Sequence, residues 1–459
     1  MIQVENLVGG EFVTTTEYFD DISPLDNSII AKIPRTINVD NAVDAAIGAQ
    51  NDWGSLSIEQ RCTWLDKIAD SLEENIEEVA RLESLDTGKP HEVAMDVDAK
   101  RSVNNFRFFA EFGRSLKSET FSMSDATNYV LRKPIGVVGL ISPWNLPLYL
   151  LSWKIAPALL MGNCVIAKPS EITPLTAHFL GKLCTEIGLP DGVLNIVNGY
   201  GPEVGQAIVE HPKIKAISFT GGTATGKIVA ATAAPMFKKL SLELGGKNAS
   251  LVLDDADLDI AVPGVLRASF LNSGQICLCG SRVLVHSSIY DDFLVRYLNE
   301  LKNFKIGPVI NIEHRNKVMS YIKLAKEEGG EILAGGNIPD KPGAWIEPTV
   351  IAGLSHTSRT ATEEIFGPVV TIHKFENDRE AIDMANCTNY GLAGSVWSRN
   401  KGRQIAEQID SGMVWVNTWL HRDLRVPFGG VKDSGVGREG GLWSVGFFSE
   451  AVNICVMED

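Results

Sequence analysis

The chain has 459 residues, a net charge of −15 and 44% hydrophobic residues, and it is too long for one hydrophobic core, so we expect two or three domains. The negative charge argues against nucleic acid or an anionic membrane surface as a partner. Seven cysteines without a CxxC pair predict neither a disulfide framework nor a metal site, and they favour a reducing cytoplasm.

The first predicted elements are helices over residues 40–115, where apolar side chains such as Leu65, Ile68 and Leu72 recur at helical spacing. The N-terminus has no basic segment leading into an apolar run, so no signal peptide is predicted. The most apolar zone, 136–167, is broken by three prolines and Lys154, which makes a membrane span unfavourable.

From residue 135 onward the pattern changes to short apolar strands that alternate with amphipathic helices. This alternation predicts a doubly wound parallel sheet. A second alternating series, from about 250 to 417, predicts a second α/β domain. The strands of the first series are expected near 136–143, 165–168, 193–197, 216–219 and 240–244, with helices at 149–161, at 174–187, after Gly201 and from about Thr223.

Two isolated reactive side chains carry the chemistry. Cys277 lies among glycines and small polar residues with Arg282 downstream, and a nucleophilic cysteine needs open backbone and a stabilised thiolate. Glu243 stands alone on an apolar strand that ends in two glycines, so we expect its pKa to rise towards that of a general base. With glycine-rich loops nearby, this pair suggests covalent oxidation of a carbonyl by a nicotinamide cofactor.

Two glycine-rich loops are candidates for phosphate binding. The run from Gly221 to Lys227 fits most of the P-loop pattern, but Ile228 replaces the Ser or Thr that would hold Mg²⁺. A P-loop phosphotransferase is therefore disfavoured, although the loop still opens a helix whose amides can face an anion. The looser run through Gly201 and Gly205 is weak evidence by itself.

Taken together, these segments resemble the aldehyde dehydrogenase superfamily along almost the whole chain. The stretches that carry the resemblance are Ser142-Pro-Trp-Asn-Leu-Pro, Lys168-Pro-Ser-Glu, Phe219-Thr-Gly-Gly, Leu242-Glu-Leu-Gly-Gly-Lys, Gly274-Gln-Ile-Cys, Glu363-Glu-Ile-Phe-Gly-Pro and Pro427-Phe-Gly-Gly. The resemblance implies a cofactor domain over 1–116 and 136–245, a catalytic domain over 246–436, and a small β oligomerisation element over 117–135 and 437–459. It further implies a homodimer or homotetramer.

The resemblance also implies catalytic roles. Cys277 would form a thiohemiacetal with the aldehyde and then a thioester, while the amide of Asn145 and the backbone N–H of Cys277 hold the oxyanion. Glu243 would activate the water that releases a free acid. A non-catalytic scaffold on this fold is the alternative that these three residues together oppose. Cys279 is expected only to line the pocket.

For the cofactor, the resemblance implies NAD. Lys168 and Glu171 would contact the adenosine ribose, and the Glu171 carboxylate would repel a 2′-phosphate. Ser170 is small enough to keep NADP as an alternative. The other residues that match cofactor contacts are Trp144, Gly201, Gly205, Phe219, Thr220, Gly221, Gly222, Leu244, Glu364 and Phe366.

Within the superfamily, the chain is most similar to 2-aminomuconic and 2-hydroxymuconic semialdehyde dehydrogenases. That similarity implies that Arg101 and Arg422 grip the remote carboxylate of the substrate, because a guanidinium binds a carboxylate through two hydrogen bonds. Another small aldehyde, such as betaine aldehyde or an amino aldehyde, is the alternative substrate. One departure stands out: Gly307 leads directly into Pro308, where the family carries a longer loop.

Overall fold

The computed structural model describes residues 1–457 as two α/β units and a separate three-stranded sheet. Residues 458 and 459, at the end of the predicted oligomerisation element, lie outside the described residues. No helix within this range is long and apolar enough to cross a bilayer. The α/β architecture predicted from the alternating pattern is confirmed.

The first unit is built on an eight-stranded sheet whose central strands are parallel and buried. In spatial order its strands are Gly435–Val436, Lys239–Glu243, Ile214–Thr220, Val137–Ile141, Cys164–Lys168, Leu194–Ile196, Asn6–Val8 and Glu11–Val13. Residues 435–436, from the stretch assigned to the catalytic domain, add an antiparallel strand beside Lys239–Glu243. The N-terminal strands Ile2–Gln3, Tyr18–Ile22 and Ile29–Pro34 form a small sheet of their own.

The strand order places a crevice at the centre of this sheet. From Val137–Ile141 the chain moves to Cys164–Lys168 on one side and later to Ile214–Thr220 on the other. Parallel α/β sheets bind ligands at the carboxyl ends of strands where the order reverses. The helices of this unit are Asp40–Ser55, Ile58–Glu74, Ile76–Thr87, His91–Val93, Lys100–Ser115, Pro147–Leu160, Leu175–Glu186, Gln206–Glu210 and Thr223–Ala233, with π-helical turns at Ala94–Ala99 and Gly201–Gly205 and a 3₁₀ turn at Ala234–Met236.

The second unit contains a seven-stranded sheet that is parallel except at the edge strand Glu331–Ala334. Its order is Glu331–Ala334, Thr349–Ala352, Val369–Phe375, Arg282–His286, Ala249–Val252, Ala393–Trp397 and Met413–Val416. Its helices are Leu258–Phe270, Tyr290–Leu301, Ile312–Glu327, Arg359–Thr362, Asp378–Asn386 and Gly402–Ala406, with 3₁₀ turns at Leu271–Gly274 and Ser287–Ile289. A short pair, Tyr390–Gly391 and Val431–Lys432, lies outside the main sheets.

The third sheet consists of Ser449–Met457, Ala126–Pro134 and Glu119–Ser122, all antiparallel. Its strand Ser449–Met457 follows the helix Gly441–Phe447, whereas the other two strands follow the helix Lys100–Ser115. The connection from Tyr290–Leu301 to Ile312–Glu327 is short, and Gly307 packs directly against the backbone of Gly88.

Candidate active site

A strained loop presents Cys277. The helix Leu258–Phe270 is followed by three consecutive residues in the left-handed region: Asn272 (φ 52°), Ser273 (φ 58°) and Gly274 (φ 71°). A side chain at position 274 would place its Cβ only 2.2 Å from the carbonyl oxygen of Gly367. Left-handed non-glycine residues persist only where the surroundings impose them, and they concentrate at functional sites. No local sequence pattern predicts this conformation.

Hydroxyl and amide side chains hold the loop and the backbone carbonyl of Cys277 in place. Ser273 Oγ donates to the carbonyl of Gly307 at 2.8 Å, and Ile310 N donates to Gln275 Oε1 at 2.9 Å. Asn248 Nδ2 donates to the carbonyls of Cys277 (2.7 Å) and Cys279 (2.9 Å). The Cys277 thiol is half-buried, whereas Cys279 is buried in the core and its Sγ faces the Leu271 carbonyl. Cys279 therefore packs against the loop and does not line the cavity at Cys277.

Asn145 is brought to this loop from the other unit. Its Nδ2 donates to the carbonyl of Gln275 at 2.9 Å, which leaves a second amide hydrogen for a ligand. The backbone carbonyl of Asn145 accepts from Asn272 Nδ2 (3.0 Å) and from Lys89 Nζ (3.1 Å). The asparagine is thus held through both its side chain and its backbone beside the loop that carries Cys277.

Glu243 lies at the carboxyl end of its strand with both carboxylate oxygens buried and without a hydrogen-bond partner among the described residues. Gly429 allows this packing: its φ is 145°, and a Cβ there would lie 2.6 Å from Glu243 Oε1. Burial, followed by the negative charge of Glu439, holds the pKa of Glu243 well above its ordinary value. The direction agrees with the sequence prediction, and the two free oxygens are suited to bind water.

A buried ion pair lies behind Glu243. Lys154 Nζ lies 2.7 Å from Glu439 Oε1 and donates to Ser218 Oγ at 2.9 Å. The positive charge of Lys154 opposes the rise in the pKa of Glu243, and Glu439 reinforces it. No sequence motif marks this pair, because its members are far apart along the chain.

The position of Arg282 in the sequence suggests that it stabilises the Cys277 thiolate. In the structure it does not. The Arg282 guanidinium is buried and donates to the carbonyls of Lys247, Met384 and Ala385, so it has a structural role. Burial and the negative charge of Glu243 raise the pKa of the Cys277 thiol, while Arg422 lowers it. In the absence of ligands Cys277 is therefore a thiol, and its proton must be removed before it attacks.

A cavity of about 240 Å³ opens on Cys277. It brings together predicted residues from both units: Trp144, Asn145, Thr220, Gly221, Gly222, Leu244, Cys277, Glu364 and Phe366. Trp144 packs edge-on against Phe366, with ring centroids 5.3 Å apart. His314 and Lys317 also line the cavity, and the sequence analysis missed both because they lie on a helix without a motif.

A second cleft, of about 620 Å³, runs along the crevice of the first sheet. Of the predicted cofactor residues it is lined by Trp144, Lys168, Ser170, Glu171, Gly201, Gly205, Phe219, Thr220, Gly221 and Gly222. Glu171 accepts from Lys168 Nζ at 2.9 Å and from the amide of Gly201 at 3.3 Å. Burial alone would raise the pKa of Glu171, but Lys168 and these hydrogen bonds lower it, so the group is a carboxylate.

This cleft fits a dinucleotide. Thr220 Oγ1 is buried where the cleft meets the cavity at Cys277, and it has no partner among the described residues. Gly222 has open space where a Cβ would stand and caps the helix Thr223–Ala233. Lys227, which a P-loop would turn towards phosphate, instead pairs with Asp433 at 3.3 Å and is 65% exposed. This loop therefore lacks the hydroxyl of a P-loop, and its lysine is turned away from the cleft.

Arg101 and Arg422 converge on one tyrosine. Arg422 Nη1 donates to Tyr149 Oη at 2.6 Å, and the Arg101 guanidinium lies 5.3 Å from the centre of the same ring. Both arginines are half-buried, and neither forms a salt bridge within residues 1–457. Arg422 also lines a third cavity, of about 820 Å³, beside Phe108 and Phe112. By contrast, Arg107 pairs with Asp70 on the surface.

Comparison with known proteins decides the family. The model of the aldehyde dehydrogenase family matches residues 12–454. The chain is 44% identical, over 487 aligned positions, to a 2-aminomuconic 6-semialdehyde dehydrogenase of Pseudomonas sp., covering 100% of this chain and 99% of that protein.

The chain belongs to the aldehyde dehydrogenase family. It is 42% identical to a 2-hydroxymuconic semialdehyde dehydrogenase of Pseudomonas sp. (strain CF600), covering 99% and 100% of the two chains. Among solved structures, betaine aldehyde dehydrogenase of Staphylococcus aureus in complex with NAD+ superposes with a TM-score of 0.96 at 38% identity, covering 99% of this chain and 94% of that one. The protein is therefore an NAD(P)-dependent aldehyde dehydrogenase, as the motifs predicted. The roles of individual residues and the domain boundaries stay predictions.

Proposed function

We propose that this enzyme oxidises an aldehyde that carries a carboxylate at its far end, of the muconic semialdehyde class, to the free acid with NAD. The observation that carries the proposal is the convergence of Arg101 and Arg422 on Tyr149 without an anionic partner among the described residues. Two half-buried guanidinium groups repel each other, and the charge of Arg422 lowers the pKa of Arg101 further. A carboxylate from the substrate would relieve that repulsion.

The chain's own residues account for attack and release. Once Cys277 loses its proton, Sγ adds to the aldehyde carbon and forms a thiohemiacetal. The free N–H of the Asn145 amide and the Cys277 N–H would hold the oxygen that becomes negative. The unpaired oxygens of Glu243 would accept a proton from water, which attacks the later thioester and releases the acid.

NAD, when bound, supplies the acceptor for the hydride that the thiohemiacetal must lose to become the thioester. The residues that would hold it line the 620 Å³ cleft, with Lys168 and Glu171 at the ribose. The Glu171 carboxylate supports NAD over NADP because it would repel a 2′-phosphate. The NAD+ complex of the Staphylococcus aureus relative agrees with this preference.

Betaine aldehyde is the second candidate because of the similarity to that relative. Betaine aldehyde and amino aldehydes are cations, and two arginines near the reaction centre would repel them. The charge of Arg422 lowers the pKa of both Cys277 and Glu243, so its field reaches the reacting groups. This observation favours an anionic substrate.

Replacement of Arg422 by alanine tests the proposal. We expect kcat/KM for adipic semialdehyde, which carries a terminal carboxylate, to fall by about 2–5 kcal/mol in transition-state stabilisation, because that charge loses its partner. Hexanal, which has a methyl group in the same place, should be affected far less. Arg425→Ala is a matched control, since Arg425 lies in the same loop but is 72% exposed and paired with Asp423. Equal losses on both aldehydes would contradict the proposal.

A further inference from the structure

We propose that Tyr149 is a specificity-determining residue whose hydroxyl donates a hydrogen bond to the remote carboxylate of the substrate. This inference rests on the proposed function and extends it from two arginines to a three-membered anion site. Both guanidinium groups contact this one side chain, since Arg422 Nη1 donates to its hydroxyl at 2.6 Å and Arg101 lies over its ring.

The direction of the Arg422 hydrogen bond decides what the hydroxyl can do. A guanidinium has only donors, so Tyr149 Oη must be the acceptor. The O–H hydrogen therefore points elsewhere, and no hydrogen bond of residues 1–457 uses it. Tyr149 is only 6% exposed, so water access to that hydrogen is restricted. A buried donor without a partner is unfavourable, and an incoming carboxylate would satisfy it.

Hydrogen bonds from Asn105 fix the backbone position of Tyr149. Asn105 is fully buried and donates through Nδ2 to the carbonyl of Tyr149 and to Ser152 Oγ, both at 3.0 Å. Asn105 and Arg101 are four residues apart on the helix Lys100–Ser115, so they share one face of it. The same helix therefore carries one arginine and fixes the backbone of the tyrosine between the two.

Aromatic rings hold the second arginine beside the tyrosine hydroxyl. The Arg422 guanidinium lies 3.9 Å from the ring centre of Phe428 and 5.5 Å from that of Trp153. Trp153 is on the helix Pro147–Leu160 that also carries Tyr149, one turn further on. Cation–π contact with these rings holds the guanidinium in place without neutralising its charge. The site is thus a preformed anion receptor that combines two cations with one neutral donor.

The hydroxyl adds a selectivity that charge alone does not supply. Two guanidinium groups attract any anion, whereas an O–H between them fixes the position of one carboxylate oxygen. Hydrogen bonds to charged groups are the strong ones, and a protein group left without such a partner is penalised. We therefore expect Tyr149 to act on the carboxylate-bearing aldehyde and not on aldehydes in general.

Tyr149→Phe tests the inference because it keeps the ring and removes only the hydroxyl. We expect kcat/KM for adipic semialdehyde to fall about 10- to 100-fold, the range for a hydrogen bond to a charged group. Hexanal should change by less than about twofold, within the ±0.5 kcal/mol of a neutral substitution. Adipate binding, measured by calorimetry, should weaken by about tenfold or more, which separates recognition from chemistry. Tyr18→Phe, on an exposed strand far from the site, is the matched control.

The outcomes are distinct. If wild-type enzyme prefers adipic semialdehyde over hexanal, Arg422→Ala abolishes that preference and Tyr149→Phe leaves it intact, the inference is wrong and the proposed function stands. Equal losses on both aldehydes in Tyr149→Phe would assign the hydroxyl a structural role and overturn the inference. If the wild-type enzyme shows no preference, the proposed function fails and this inference fails with it.

Discussion

At the residue scale, burial disfavours the charged form of both reacting groups in the ligand-free fold. Burial raises the pKa of Cys277 and of Glu243, and the negative charge of Glu243 raises the pKa of the thiol further. A neutral pair costs less to bury than a thiolate beside a carboxylate. Both groups therefore resist ionisation in the ligand-free fold, and the thiol must lose its proton before it attacks.

Glu243→Gln should separate the two halves of the reaction. We expect a burst of about one NADH per site to survive, while steady-state turnover falls roughly 10²-fold through loss of a general base. The amide keeps the shape that Gly429 accommodates but does not accept a proton. Stopped-flow absorbance at several pH values is the measurement.

Because the pKa of Glu243 is raised, wild-type thioester hydrolysis should accelerate as pH increases, and the variant should lose that dependence. Glu210→Gln, which alters an exposed carboxylate of the same unit, is the control. A burst that disappears together with turnover would instead assign Glu243 to deprotonation of Cys277.

At the element scale, a buried acidic cluster joins the helix Ile76–Thr87 to the active site. Glu83 accepts from the amide of Leu148 at 3.2 Å, at the start of the helix that carries Tyr149. Asp98 pairs with Lys89 at 2.7 Å, and Lys89 in turn holds the carbonyl of Asn145. Glu83 and Asp98 are fully buried and adjacent, so they compete for one proton.

Glu83→Gln should therefore make the fold more tolerant of alkaline pH. Burial and the charge of Asp98 raise the pKa of Glu83 to about 8 from 4.5. A raised folded-state pKa contributes stability that is complete below about pH 4.5 and is lost as pH rises through about 8. We expect the variant to unfold at least about 2 °C above wild type at pH 8.5 and no higher at pH 5.

Thermal unfolding followed by circular dichroism at one fixed scan rate measures this difference. The control is Glu74→Gln on the neighbouring helix, where the carboxylate is exposed. A variant that is less stable than wild type at both pH values would mean that Glu83 is ionised in the fold and needed as an anion.

The sequence pattern predicts best the positions of residues that lie at the carboxyl ends of parallel strands. Lys168, Thr220 and Glu243 each end a parallel strand, so the predicted alternation already placed them along one edge. Tyr149 was different: its partner Arg422 is distant in sequence, and no local pattern links a phenol to a guanidinium. The left-handed turn at Asn272 and Ser273 was equally hidden, because tertiary contacts impose it against local preference.

Arg282 shows the opposite error. Its nearness to Cys277 in sequence suggested a partner for the thiolate, but a strand carries it into the core. Sequence distance is a poor guide to charge contacts once a turn and a strand intervene. The arginine whose charge does lower the pKa of the thiol, Arg422, was identified only through family resemblance.

At the scale of the whole molecule, the three-stranded sheet has an unpaired edge strand within residues 1–457. The strand Ser449–Met457 pairs on one side with Ala126–Pro134 and has no neighbour on its other side within residues 1–457. Its outer part is mostly exposed, and the sheet also exposes apolar side chains, among them Phe121, Tyr129, Leu131, Ile454 and Val456. Exposed apolar edge strands invite pairing with another chain.

We expect a homodimer or homotetramer assembled through this sheet. Light scattering at micromolar concentration should give a mass of about twice 49.9 kDa or more. Ile454→Lys should lower that mass, because it places a charge on the contact strand. Ile29→Lys is the matched control, since Ile29 is 44% exposed and Ile454 is 42% exposed. A monomeric wild-type protein would contradict the expectation.

The turn at Asn272, Ser273 and Gly274 sets a limit on how far this enzyme can be made more robust. Each left-handed non-glycine residue costs of order 1–3 kcal/mol, so glycine at position 273 would relieve strain. The same change would remove the bond from Ser273 Oγ to Gly307 and free the peptide that carries the thiol. Selection for heat resistance alone would therefore favour a substitution that selection for turnover rejects, and laboratory evolution under the two pressures should diverge at this position.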